Sequence, residues 1–226
     1  MPSYSGVFTL QAQMQAKAAS NWPDPNVPTV IGQAFGGGFY AGQIGVSSVA
    51  THYIVVGPVS SAQNNSKQWK NANTATAGAD SVIDGPQNTA DMVADGNSTV
   101  YPAAHFCNDL TIGGFSVWDM SAKNDLEVCY YNLKPTTTSN NTSSGTNTNA
   151  VPSRGSNYTA GTPAQTSATD FKDTGAEDFV VGNYWSSTEH SDTAAWMQSF
   201  NNGYQSFNYY GKATPQRVRA IRRVAV

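Results

Sequence analysis

Leu10, Met14, Ala18 and Trp22 recur every four positions, a spacing that puts four apolar side chains on one face and predicts an amphipathic helix over 7–22. Thr9 is a suitable N-cap, and Asn21-Trp22-Pro23-Asp24-Pro25 ends the helix because proline neither continues it nor tolerates a helical residue before it. So short a helix is marginal alone in water, so its stripe must dock on the rest of the fold or on another chain. Residues 1–29 are therefore read as an N-terminal helical docking segment, and 30–226 as the main domain. From residue 26 the pattern turns to strand: Val27 to Ile31 leads into Gly36-Gly37-Gly38-Phe39-Tyr40, and His52 to Val56 is an apolar run bounded by Gly57-Pro58. No Gly-Lys-Ser/Thr follows the glycine triplet, which predicts a tight turn between strands rather than a phosphate cradle.

Residues 61–100 are mostly polar, with Trp69 as an anchor. Tyr101 to Leu110 predicts a short helix with Pro102 in its first turn. Ile112-Gly113-Gly114-Phe115 reads as a turn into Val117-Trp118. Lys123 to Leu133 predicts a second helix, preceded by Ser121 and stopped by Pro135, burying Leu126, Cys129, Tyr130 and Leu133. Residues 135–169 carry almost no large apolar side chain. They are expected to form a long exposed loop inserted into the domain, because apolar burial there cannot offset the entropy of ordering.

Charge adds little. Only 12% of the 226 residues are charged and the net charge is −3, which leaves no electrostatic case for nucleic acid or an anionic membrane. Four of the five arginines fall in the last ten residues, and they are expected to pair with acids or stack on aromatic rings. Polarity comes instead from Asn, Ser, Thr and Gln beside twenty glycines and eleven tyrosines, the make-up of a turn-rich sheet protein with an adaptable binding surface. The start of the chain lacks a basic, apolar leader, and no run is long enough to cross a bilayer. Cys107 and Cys129 are expected to be buried free thiols in a chain made in a cytoplasm, with a disulfide as the alternative.

Several motifs resemble the Lcl C-terminal-like family. Gly36 to Tyr40 looks like its glycine-aromatic opening strand, Ala103 to Asn108 its central helix, and Gly113 to Asp119 the turn after that helix. Asn124-Asp125-Leu126 with Tyr131-Asn132-Leu133 resembles its second helix. Tyr184-Trp185-Ser186-Ser187-Thr188-Glu189, Ala195-Trp196, Phe200 to Gly203, and Val218 to Arg222 are similar to its ending. The resemblance covers about residue 30 to residue 226 and is most specific in the final third. It implies an α+β, C-type-lectin-like fold: two short helices around a twisted antiparallel sheet, with Trp185, Trp196 and Phe200 in the core. It also implies kinship with adhesive proteins of bacteria and bacteriophages, including the variable proteins of diversity-generating retroelements. Ser5 to Trp22 further resembles a stretch of phage tail structural proteins. Where the family usually has Trp-Tyr-Leu-Pro-Ser, this chain has Trp118-Asp119-Met120-Ser121-Ala122, and the tripeptides of calcium-dependent sugar binding are absent.

No catalytic constellation emerges. His52, His105 and His190 lack metal-ligand spacing, and Glu189 and His190 should point to opposite faces of a strand. The expectation is therefore a virion protein without enzymatic activity, cofactor or metal, made in the host cytoplasm and binding a host-surface glycan or protein. Its ligand face should comprise Tyr184, His190, Asp192, Asn201, Asn202, Tyr204, Gln205, Phe207, Asn208, Tyr209 and Tyr210, an aromatic and amide surface on a short hairpin. Other virion proteins are expected partners, in a homo-oligomer that would be a trimer by analogy with fibres. The alternative is a structural virion decoration, or a baseplate or capsid protein, with no receptor role.

Overall fold

The structure is a computed structural model that describes residues 27–206 and 210–226; the helix expected over 7–22 lies outside these residues. In chain order the strands begin with β1 (Ala34–Phe35), β2 (Gly38–Val46) and β3 (Val49–Val56), then helix α1 (Val59–Ala62) and β4 (Gln63–Lys67). Helices α2 (Gly85–Asp95) and α3 (Pro102–Asn108) follow, then β5 (Asp119–Met120), α4 (Lys123–Leu133) and β6 (Ala150–Val151). A 3₁₀ turn at Thr169–Phe171 leads to β7 (Asn183–Ser191), β8 (Ala194–Ser199), β9 (Gln205–Ser206) and β10 (Gln216–Ala225). The result is a sheet-rich α+β domain with few helices.

The strands join in the order β1-β2-β3-β10-β7-β8-β9, with β10 at the centre. One half of β10 runs antiparallel to β3, from Ile221↔Val56 to Ala225↔His52. The other half meets β4 and touches β7 in parallel at Arg217↔Tyr184. Strand alternation sends successive side chains to opposite faces, and here both faces are covered. Ile54, Val56, Tyr184 and Ile221 join α4 and Phe171, Phe179 and Phe200 in one core. Val55, Trp185, Val218 and Ala220 join Trp69, Tyr101 and Trp118 in the other. Cys107 and Cys129 sit in these separate cores as buried free thiols, so the disulfide alternative fails on geometry.

The expected helices are present as α3 and α4. Helix α4 starts where the Asp125 carboxylate accepts a hydrogen bond from the Ala122 amide at 3.0 Å. Helix α2 has no counterpart in the sequence reading. Its inner face is mostly polar, with Met92 as its one fully buried large apolar side chain: Asn88 donates to Ser187 Oγ at 3.1 Å, and Thr89 Oγ1 accepts from the Met120 amide at 3.1 Å. Satisfied in this way, both residues are fully buried and leave no hydrophobic period to read. Val27 to Ile31 is also not a strand. Gly32 there adopts φ +82° and donates to the Tyr40 carbonyl at 2.8 Å, so pairing begins only at Ala34.

Residues 135–169 do not form the exposed loop expected. Asn140, Ser144, Asn147, Ala150, Tyr158 and Thr166 are buried. Side-chain amides replace the missing apolar mass: Asn140 receives the Tyr130 hydroxyl at 2.7 Å and donates to the Pro163 carbonyl at 2.8 Å. Asn147 donates to Glu127 at 2.6 Å and accepts from the Ala150 amide at 3.1 Å. The segment adds β6 to the sheet through Ile44↔Ala150. Three of the four C-terminal arginines behave as expected: Arg219 pairs with Glu177 at 2.9 Å, Arg223 with Asp125 at 2.8 Å, and Arg222 stacks 3.7 Å from the Phe115 centroid, whereas Arg217 makes neither kind of contact among the described residues.

Candidate functional site

The β7–β8 hairpin carries Tyr184, His190 and Asp192 of the residues expected at a ligand face, in the register Asn183↔Ser199, Tyr184↔Gln198 and Trp185↔Met197. Beyond β8 the chain reverses through Asn201-Asn202-Gly203. Gly203 has φ +75°, and a Cβ there would lie 2.3 Å from the Tyr130 ring, so no other residue fits the turn without displacing that ring. The Gly203 amide donates to the Ser199 carbonyl at 2.8 Å, and the Asn202 side chain accepts from the Tyr204 amide at 3.2 Å. The Asn141 amide then ties the 135–169 segment to the turn through the Asn202 carbonyl at 2.8 Å.

These contacts hold open a depression of about 540 Å³ whose walls include Asn201, Asn202, Tyr204 and Tyr210. Asn141, Ser143, Asn183, Met197 and Ser199 complete its rim, and every residue lining it is uncharged. The side-chain amides of Asn183 and Asn201 make no hydrogen bond among the described residues, so both can serve a ligand. Tyr210 is also a wall of a second depression, about 340 Å³, that contains His190, Asn73 and Thr193. The two hollows thus share one exposed tyrosine ring.

Not every expected residue belongs to this face. Tyr184 is fully buried, its ring edge-on to Phe179 and Phe200 and its hydroxyl 3.1 Å from Gln63 Oε1. Both faces of β7 are covered, so the residue beside the buried Trp185 is buried as well, and desolvation pushes the Tyr184 phenol above its ordinary pKa. Gln205 is half-buried and braces the turn through Ser144 Oγ and Gln198, while Asp192 is exposed on the hairpin tip outside both depressions. Phe207, Asn208 and Tyr209 lie outside the described residues. Trp196, expected in the core, is only half-buried: it meets the His190 ring edge-on at 5.2 Å and the Lys123 ammonium at 4.3 Å. Glu189 and His190 diverge as strand alternation requires, Glu189 turning inward to pair with Lys212. His105 is braced by the Gly96 carbonyl at 2.7 Å from Nε2.

A cleft of about 640 Å³ on another part of the surface contains His52, Asp84, Asp119 and Arg223 beside Val117 and Trp118. The Asp119 carboxylate makes no hydrogen bond or ion pair among the described residues. Burial, reinforced by Asp125 and Asp84 and opposed by Arg223, pushes its carboxyl from 3.8 up to about 6. The folded state therefore holds a proton that the unfolded chain releases between those values, and stability falls as pH rises through that window. Asp119→Asn is expected to stabilise the protein at pH 7 by on the order of 2–3 kcal/mol and to be nearly neutral below about pH 4. Urea unfolding of both forms across the window checks this; equal stabilities at pH 7 would refute it. Among the described residues no group of three or more His, Cys, Asp or Glu could hold a metal ion, and no helix is long and apolar enough to cross a membrane.

No family model and no curated protein matches the chain. Among solved structures, a fimbrial protein from Bacteroides ovatus ATCC 8483 is similar at 12% identity and a TM-score of 0.44, over 81% of this chain and 43% of that one. The chain spans less than half the length of that protein, and a likeness of this strength bears on neither fold nor function.

Proposed function

We propose that this chain is a bacteriophage virion protein, of a tail fibre or particle surface, that binds a host-surface glycan or protein and does not transform it. The observation that carries the reading is the uncharged depression walled by Asn201, Asn202, Tyr204 and Tyr210. Tyrosine rings offer large, stiff contact faces and asparagine amides both donate and accept, so such a wall recognises polar, neutral groups by stacking and hydrogen bonding. The turn that bears it is fixed by Gly203 and by four backbone and side-chain hydrogen bonds from Gly203, Asn141, Tyr204 and Asn201, so little ordering remains to be lost on binding.

The scaffold is read as C-type-lectin-like and related to the Lcl C-terminal-like family. In support, the residues that carry the resemblance occupy one connected unit: Gly36 to Tyr40 forms the β1–β2 turn and strand, and Tyr184 to Glu189 and Val218 to Arg222 lie in β7 and β10 of the same sheet. A homo-oligomer with other virion proteins as neighbours fits this reading.

The test is adsorption. Particles carrying Tyr204→Ala with Tyr210→Ala should adsorb at least about tenfold more slowly while the isolated protein keeps its melting temperature, since aromatic anchors dominate such interfaces. Unchanged adsorption would remove the receptor role. If particles lacking the protein then lose stability yet attach normally, a structural decoration is the correct description.

A further inference from the structure

A different site forms where two glycine turns meet. Gly36 and Gly37 join β1 to β2 with φ +58° and +86°, and Ile112 to Phe115 closes a second turn through Gly113 and Gly114, both also left-handed. The turns are in contact: a Cβ on Gly113 would lie 2.8 Å from the Gly37 Cα, and one on Gly37 would lie 2.8 Å from the Phe115 ring. Arg222 lies over this junction. Its guanidinium stacks on Phe115 at 3.7 Å and donates from Nη1 to the Gly36 carbonyl at 2.9 Å. A Cβ on Gly36 would approach that nitrogen to 2.8 Å, so the bare backbone is part of the seat.

The seat lacks a counter-charge. Arg154, Arg219 and Arg223 each pair with a carboxylate, on Glu127, Glu177 and Asp125. Arg222 meets none among the described residues; its Nη2 makes no hydrogen bond, and its Nε is buried without an acceptor. Arg217 also lacks a carboxylate, but it packs over Gly182 and lines none of the depressions described here. Arg222 instead lines a hollow of about 430 Å³ with Phe35, Phe115, Val224 and Gln33. Gln33 spends its carbonyl on the Thr29 and Val30 amides, which leaves its NH₂ as a second donor.

We propose that this hollow binds a monocarboxylate carried on an apolar body, with Arg222 as its charge partner and Phe35 and Val224 against the body. A planar guanidinium held by stacking presents its remaining N–H groups to a carboxylate in a fixed geometry. One cation balances one negative charge; a phosphate dianion would leave excess charge against apolar walls, which is costly. The acid could be a small free molecule or the chain-terminal carboxylate of a peptide, and the chemistry at Arg222 is the same.

The full chain, labelled with ¹⁵N, is titrated at pH 7 with benzoate, benzamide, N-acetyl-phenylalanine and N-acetyl-phenylalaninamide to about 20 mM, well above a millimolar Kd. The amides of Gly36, Gly37, Gly113 and Gly114 should shift with each acid, and each neutral amide should bind at least about tenfold more weakly, the difference between a charge-assisted and a neutral hydrogen bond. Tighter binding of N-acetyl-phenylalanine than of benzoate assigns a chain terminus, and the reverse order assigns a small acid. Arg222→Gln, if folded, should lose the response; if it does not fold, the acid-to-amide ratio in the unaltered protein decides. Equal binding of acid and amide, shifts centred elsewhere, no response at all, or a folded Arg222→Gln that binds normally would each overturn the proposal.

Discussion

Arg219→Met is expected to destabilise the domain by about 3–5 kcal/mol, the usual cost of leaving one member of a buried ion pair alone. Arg219 is 2% exposed, in the middle of the central strand, where the chain should carry an apolar side chain. Each nitrogen of its guanidinium donates: Nε reaches the Gly57 carbonyl at 2.9 Å, Nη1 the carbonyls of Glu177 and Asp178, and Nη2 the Glu177 carboxylate at 2.9 Å. Its face lies over Phe179, 4.7 Å from the ring centroid. Burial lowers the guanidinium pKa to about 10, so it remains charged at neutral pH. Methionine would match the volume but would strand three carbonyls and a carboxylate. Glu177→Gln should cost less, because its side chain is partly exposed and an amide oxygen can still accept from the Val59 amide that starts α1. Urea unfolding measures both: a lowered midpoint with an unchanged slope is expected, and a loss under about 1 kcal/mol for Arg219→Met would contradict the account.

The same strand illustrates what the sequence discloses. The clustering of arginines at the chain end announced stacking and pairing, because arginine is used for both, and Arg219, Arg222 and Arg223 make such contacts while Arg217 does not among the described residues. Partners drawn from Glu177 and Asp125, tens of residues away, carry no local signal. The glycine triplet was legible as a turn because only glycine takes consecutive left-handed conformations cheaply; that the turn would seat Arg222 was not. Helices α3 and α4 followed from proline placement and apolar spacing. Helix α2 was hidden because its buried face sets Asn88 and Thr89 beside Met92, its one fully buried large apolar side chain.

At the candidate site, Asn201, Asn202, Tyr204 and Tyr210 were legible as an aromatic and amide cluster, and the structure brings them round one hollow. Tyr184 was misplaced because a strand buried on both faces loses the alternation that would separate inside from outside. Asn141 and Ser143 were missed for a different reason. The entropy argument applied to 135–169 counted apolar area only, whereas this segment is ordered by amides that replace backbone hydrogen bonds and by one buried carboxylate.

That carboxylate, Glu127, makes the second strong prediction. It is fully buried on α4 and accepts from Arg154, from Asn147 at 2.6 Å and from the Tyr158 hydroxyl at 2.8 Å. Three donors spread over twelve residues of the polar segment thus converge on one side chain. Glu127→Ala is expected to cost about 3–5 kcal/mol, because it leaves a guanidinium, an amide and a hydroxyl without their acceptor. Arg154→Ala should cost less, since Arg154 is partly exposed and the carboxylate keeps two donors; a double-mutant cycle should return a coupling of about 1–3 kcal/mol. The loss should also be local. Tyr158 holds Gln198 on β8, and the segment supplies Asn141 and Ser143 to the hollow beside Asn202. Amide exchange at Asn147 and Tyr158 should therefore accelerate before exchange in β3 and β10, whose partners are independent of Glu127. Ligand binding should weaken in Glu127→Ala at temperatures where the sheet is still intact. Exchange that rises uniformly through β3, β10 and the segment would instead mean that the polar layer and the sheet unfold as one unit, and that the wall of the hollow cannot be released on its own.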